Sequence, residues 1–171
     1  KTMLRFEIKV LNHKTQAEYM QEEKLRRDMY EAEYAKLEIK EKDDFEQYIK
    51  THNIHVKPSE SGLYFIPIRE GSGAKIEVGD LVLAHYKGYF LDEQIFDSSE
   101  GREPFSFSVG YGQVIPAWDE AVLKMKKGGK AKIITPSKLA YGKSDPNIPI
   151  PPFSTLIFEI EIVDVQKRDK K

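Results

Sequence analysis

The stretch Lys57-Pro58-Ser59-Glu60-Ser61-Gly62 divides this sequence, because it holds the first proline and the first glycine of the chain. The residues before it are dense in Lys, Arg, Glu, Asp, Met, Leu and Tyr and include nothing suited to a tight turn, so they are expected to be mostly helical. From it onward, 11 glycines and 9 prolines punctuate short runs of alternating apolar and polar residues, the pattern of strands joined by turns. We therefore assign 1–57 to a helical extension and 58–171 to a globular domain large enough to close its own core.

The whole chain has 171 residues and a net charge of -1, with acids and bases interspersed, which leaves no electrostatic footprint for nucleic acid. Its densest basic patch, Lys124-Met125-Lys126-Lys127-Gly128-Gly129-Lys130, has no aromatic platform beside it and reads as a solvated turn leading into a strand. The absence of cysteine excludes disulfides, thiol catalysis and cysteine-ligated zinc. His13, His52, His55 and His85 show no ligand spacing with carboxylates, so neither a metal nor a cofactor is assigned. No apolar run approaches the length of a membrane span and no signal peptide is visible. The chain starts at Lys1 rather than Met, as expected of a mature or trimmed form, and an address segment upstream is left open.

In the extension, helix formers run without a breaker from Thr15 to about Ile49. Leu25, Met29 and Ala32, and Tyr30, Tyr34 and Leu37, follow three- and four-residue spacing in pieces, but Glu18, Glu22 and Lys36 interrupt any heptad seam. Glu22 with Arg26 and Glu23 with Arg27 are spaced for i,i+4 ion pairs. Leu4, Phe6, Ile8 and Val10 alternate with charged residues in a strand-like way. Two readings of the arm stand side by side: a solvated spacer that packs a few aromatics on the globular part, or an arm for dimerisation or for cradling client proteins.

In the globular part, strands are expected at Leu63–Ile66, at Leu81–Leu91, at Gln94–Asp97 and around Phe105 and Phe107. Two more are expected around Ala131 and Ile133 and around Leu156, Phe158, Ile160 and Ile162. Pro116 suits the first turn of a helix running to about Met125, with Trp118, Val122 and Met125 on one stripe and lysines with glycine at its end. The fold class is α+β: an antiparallel sheet of five or six strands covered by one short helix.

Six motifs identify the domain further: His85-Tyr86-Lys87-Gly88, Phe96-Asp97-Ser98-Ser99, Pro104-Phe105-Ser106-Phe107, Val114-Ile115-Pro116-Ala117-Trp118, Ala140-Tyr141-Gly142 and Ile150-Pro151-Pro152. In this order and near these spacings they resemble the FKBP-type peptidyl-prolyl cis-trans isomerases, the macrolide-binding immunophilins. The resemblance covers about residues 60 to 166. It implies a twisted antiparallel half-barrel wrapped on the short helix, with the site between helix and sheet. Trp118 would form the floor, with Tyr86, Phe96, Val114, Ile115, Ile150 and Phe158 as walls and Phe105 along the rim. The Asp97 carboxylate and the Tyr141 hydroxyl would be the catalytic polar groups.

What this implies is a folding assistant that accelerates X-Pro rotation without a cofactor. Its partners would be proline-containing unfolded or partly folded proteins, and also macrolide inhibitors. A non-catalytic proline-peptide-binding chaperone module with a dimerising arm is the alternative. Ala117 departs from the family's usual glycine, the loop from Phe96 to Phe105 is one residue short, and the pairing of Arg102 with Asp97 is left open. A helical extension ahead of one such domain is similar to bacterial envelope members of the macrophage infectivity potentiator type. That similarity implies the periplasm or cell envelope, with the cytoplasm as the alternative.

Overall fold

The structure, a computed structural model, describes residues 5, 7–9, 13–144 and 148–168. Leu4, Phe6 and Val10 of the expected N-terminal alternation lie outside the described residues, as do Asp145, Pro146 and Asn147 of the loop before Ile150. The chain forms two compact units, residues 1–36 and 37–171, and the division falls inside the first helix. The turn chemistry at Pro58 marks where strands begin, whereas compactness begins at Leu37, because the last four or so turns of that helix pack against the sheet.

Helix α1 (Gln16–Thr51) is one uninterrupted element of 36 residues. Its start is a capping box: Glu18 N–H donates to Thr15 Oγ1 at 3.2 Å while Thr15 N–H donates to Glu18 Oε2 at 2.8 Å. Thr15 N–H and Thr15 Oγ1, which also donates to Glu18 Oε2 at 2.8 Å, hold the Glu18 carboxyl below the usual carboxylate range. The ion pairs in the first unit differ from the i,i+4 expectation: Lys14 takes Glu22, and Arg26 takes Glu23. Tyr19, Met20, Leu25, Met29 and Tyr30 are exposed in that unit.

The second unit contains β1 (Tyr64–Arg69), β2 (Ser72–Lys75), β3 (Leu81–Tyr89), β4 (Ile95–Ser98) and β5 (Phe105–Ser108). After these come α2 (Pro116–Val122), β6 (Lys126–Lys127), β7 (Lys130–Thr135) and β8 (Leu156–Gln166). Six strands form an antiparallel sheet in the order β1-β7-β8-β3-β4, with β5 on β3 beside β4, so the expected α+β plan of sheet and short helix is present. Helix α2 stops at Val122, short of the expected Met125, since Lys124 and Met125 N–H groups turn back to Ala121 and Val122 carbonyls. The lysines after it form β6, which pairs with β2 in a small second sheet where turns had been expected. Three of the four lysines of the basic stretch are in ion pairs: Lys124 with Glu120, Lys127 with Asp164 and Lys130 with Glu159.

Strand periodicity explains two cores rather than one. Phe65, Ile133, Leu156, Phe158, Ile160 and Ile162 face α2, joined there by Trp118, Ala121 and Val122. Their chain neighbours Tyr64, Ile134 and Ile157 necessarily point to the other face. That outer face is covered by Phe45, Tyr48 and Ile49 from the end of α1, with Phe45 and Tyr64 rings edge-on at 5.5 Å. Glu41 adds a polar anchor, accepting from Ser137 N–H at 2.5 Å, Ser137 Oγ at 2.6 Å and Thr155 Oγ1 at 3.1 Å.

A second anchor ties down the C-terminal end. Asp80, only 2% exposed, accepts from Lys167 Nζ at 2.7 Å, Glu77 N–H at 2.8 Å and Arg168 N–H at 3.2 Å. Burial opposes its charge, but the donations from Lys167, Glu77 and Arg168 outweigh it and hold the carboxyl below its ordinary value. A folded-state pKa lower than the unfolded one contributes stability above the unfolded value of about 4, and that contribution is lost as pH falls through the lower folded value. Wild type should therefore lose unfolding free energy more steeply than Asp80→Asn as pH falls below about 4. Parallel pH profiles in urea titrations of the two proteins would refute this.

Candidate active site

Strand β3 is bordered on one edge by two short strands in succession: β5 pairs with Leu81–Ala84 and β4 with Lys87–Tyr89. Between them the chain loops away, leaving Tyr86 without a ladder partner on that side. Ser99 fills the gap: its N–H donates to Tyr86 O at 2.9 Å and its Oγ accepts from Tyr86 N–H at 2.8 Å. The loop thus fixes Tyr86 and Asp97 at the same edge. Tyr86 O–H donates to Asp97 Oδ2 at 2.5 Å, and Arg102 and Ser98 N–H each donate to Asp97 Oδ1 at 2.8 Å. The pairing of Arg102 with Asp97, left open by the short loop, is present.

Helix α2 supplies the floor. Pro116 at its first position and the extended Ile115 before it set the helix start. Trp118, 4% exposed, lies edge-on to four rings: Tyr86 at 5.1 Å, Phe107 and Phe158 at 5.6 Å, and Phe105 at 6.2 Å between centroids. Phe96 meets Phe158 at 89° and 5.6 Å. Gly88 permits this approach, since a Cβ there would stand 2.7 Å from Phe96 Cζ. Ala117, fully buried, fits the helix start without the glycine common in the family.

These rings surround a cavity of about 230 Å3 lined by Tyr86, Phe96, Asp97, Phe105, Gln113, Val114, Ile115, Trp118, Tyr141 and Phe158. The structure therefore brings together every residue expected at the site except Ile150. That side chain is buried in the same core cluster as Trp118 and Phe158, and its carbonyl accepts from Ser144 Oγ at 2.6 Å. Gln113 was not anticipated; its Oε1 accepts from Ser108 N–H at 2.7 Å. Its place directly before Val114-Ile115 was the available signal, but a lone loop amide has no periodicity to mark it.

The electrostatics are set by one carboxylate. Burial disfavours the charge on Asp97, but the donations from Tyr86, Arg102 and Ser98 outweigh it and hold its pKa below the ordinary carboxylate value. Burial, reinforced by the hydrogen bond to Asp97, pushes the Tyr86 hydroxyl up to about 12, so it stays a donor. Burial and the Asp97 charge likewise raise the Tyr141 hydroxyl. Tyr86 O–H is committed to Asp97, which leaves Tyr141 O–H as the cavity hydroxyl without a hydrogen-bond partner among the described residues. His85, by contrast, bonds Ser99 Oγ through Nδ1 at 3.0 Å and does not line the cavity, and the described residues hold no cluster of metal-ligating side chains.

Comparison with known proteins agrees with this geometry. The family model for the FKBP-type peptidyl-prolyl cis-trans isomerases matches residues 72–163. The FKBP-type peptidyl-prolyl cis-trans isomerase FkpA of Escherichia coli is 40% identical over 142 residues, which is 82% of this chain and 50% of that protein. An alignment of that length extends beyond residues 58–171 into the helical arm. The FK506-binding protein of Neisseria meningitidis serogroup B is 41% identical over 105 residues, covering 61% of this chain and 96% of that one. The crystal structure of E. coli FkpA superposes with a TM-score of 0.71 at 35% identity, over 88% of this chain and 71% of that chain. The chain spans about half the length of the FkpA it matches. It belongs to the FKBP-type peptidyl-prolyl cis-trans isomerase family.

Proposed function

We propose that this protein is a peptidyl-prolyl cis-trans isomerase that accelerates rotation about X-Pro bonds in unfolded or partly folded proteins. The observation that carries this reading is the aromatic cavity over Trp118, with one hydroxyl, that of Tyr141, uncommitted among the described residues and beside a fixed carboxylate. Rotation about the imide is slow because amide resonance resists twisting, and the planar form is the more dipolar. An apolar, water-excluding cavity therefore favours the twisted state relative to bulk water. A proline supplies no N–H, so its segment presents carbonyls that require donors. Tyr141 O–H serves one of them and holds the peptide while the imide turns. Asp97 is already engaged by Tyr86, Arg102 and Ser98, so it acts as a fixed anion at the cavity edge rather than as a proton acceptor.

Residues 58–171 carry this activity in our reading, and residues 37–57 brace them. A protease-coupled assay on a short X-Pro peptide tests the proposal. Acceleration is expected, whereas peptide binding without acceleration would select a non-catalytic proline-binding module instead. Tyr141→Phe should lower kcat/KM roughly five- to twelvefold, the worth of one hydrogen bond of about 1–1.5 kcal/mol, without abolishing turnover. Wild-type kcat/KM in that variant would remove Tyr141 from the mechanism. An envelope location, pairing of two copies through the arm and binding of macrolides in the same cavity complete the proposal. They are supported by the alignment that reaches into the arm and by the name of the neisserial relative. Fractionation, light scattering and FK506 titration test them in turn.

A further inference from the structure

We infer that Glu41, on the last turns of α1, is a positioning residue for Tyr141, so that the helix braces the cavity's hydroxyl as well as the sheet. The inference rests on Tyr141 being the substrate's hydrogen-bond donor, as proposed above. The connection is continuous. The Glu41 carboxylate takes both hydrogen-bond donors of Ser137, the N–H at 2.5 Å and the Oγ at 2.6 Å, and also the hydroxyl of Thr155 at 3.1 Å. Ser137 and Thr155 are each 4% exposed, so these bonds form where water does not compete. Ser137 in turn offers its carbonyl to the two residues flanking Tyr141: Ala140 N–H donates at 2.8 Å and Gly142 N–H at 2.9 Å.

Tyr141 therefore sits at the tip of a turn whose two ends are tied to one carbonyl, and the residue carrying that carbonyl is held by Glu41. From the other side, the Gly142 carbonyl accepts from Phe153 N–H at 2.7 Å, only two residues before Thr155. One carboxylate on α1 thus fixes the base of the turn and the strand of chain that backs it. Tyr141 itself is 36% exposed and has no hydrogen-bond partner among the described residues, so its own environment does not lock it; the turn must. Without Glu41, both hydrogen-bond donors of Ser137 lose their acceptor at once, and the turn regains freedom that has to be lost again each time a substrate carbonyl is met.

The test is a double-mutant cycle in the full chain, with Glu41→Ala and Ser137→Ala each combined with Tyr141→Phe, assayed on an X-Pro peptide well below every variant's unfolding temperature. Glu41→Ala alone should lower kcat/KM about threefold or more, mainly through KM. Ser137→Ala, which keeps the N–H and loses only the hydroxyl, should show a smaller loss and protects the cycle if Glu41→Ala folds poorly. In the Tyr141→Phe background both should have no further effect, because there is no hydroxyl left to position. A purely structural role would instead lower activity equally in both backgrounds, and that additivity would overturn the inference. So would unchanged kinetics in Glu41→Ala with an effective Tyr141→Phe, which leaves the isomerase reading intact. If wild type itself does not accelerate isomerisation, the isomerase reading fails first and the positioning role falls with it.

Discussion

Removing residues 1–57 is expected to cost the remaining domain about 4–6 kcal/mol of stability, whereas removing only residues 1–36 should cost less than about 1 kcal/mol. The difference lies in what Leu37–Thr51 covers. Ile134 and Ile157 are no more than 1% exposed, yet they lie on the sheet face opposite α2, and Tyr48 with Phe45 and Ile49 shields them. Burying Tyr48 contributes about 2 kcal/mol, the two half-buried neighbours about 1 kcal/mol each, and the charged hydrogen bonds of Glu41 about another 1.5. Set against a total of roughly 5–15 kcal/mol for a domain of this size, that loss leaves 58–171 marginal and exposes an apolar sheet face. Urea unfolding of the 37–171 and 58–171 fragments measures it directly. Equal stability of the two would mean that the helix end rests on the sheet without holding it.

The same region shows where sequence reading stops. The alternation of Leu156, Phe158, Ile160 and Ile162 correctly gave a strand with its apolar side on the core. The apolar neighbours Ile134 and Ile157 signal a second buried face, since a strand exposed on one side alternates. Nothing local says which element covers that face. The answer depends on Tyr48, in a helix whose charged residues otherwise read as solvated, and on Glu41, one of many glutamates there and 96 residues from Ser137. Sequence spacing resolves neither, because both are long-range contacts. The cavity was legible for a different reason: its residues sit in short motifs whose order and spacing resemble those of a known family, and that resemblance, not local geometry, implied which side chains converge. Where loop conformation decides, as for Arg102 against Asp97, spacing left the answer open. The pairing of β2 with β6 was hidden too, since Ser72-Gly73-Ala74-Lys75 and Lys126-Lys127 carry no strand propensity and are joined by their backbones.

Trp118→Ala is expected to give the largest combined loss: about 3–5 kcal/mol of stability and a fall in kcat/KM of about a hundredfold or more. The indole packs against four rings, so its removal leaves a void among side chains that cannot all collapse inward, their strands being fixed by the sheet. The activity loss follows from the same void. In the proposed mechanism the cavity works by excluding water; with the floor gone, water reaches the imide and that advantage is lost, which at about 3 kcal/mol corresponds to the hundredfold. Trp118→Phe separates packing from hydrogen bonding. The indole N–H is buried with no hydrogen-bond partner among the described residues, so replacing it forfeits no bond and trims only part of the ring. Trp118→Phe should therefore cost no more than about 2 kcal/mol and keep most of the activity. Equal damage from both substitutions, read by thermal unfolding and by the peptide assay, would mean that the indole N–H carries an interaction of its own and that apolar enclosure is not what the floor provides.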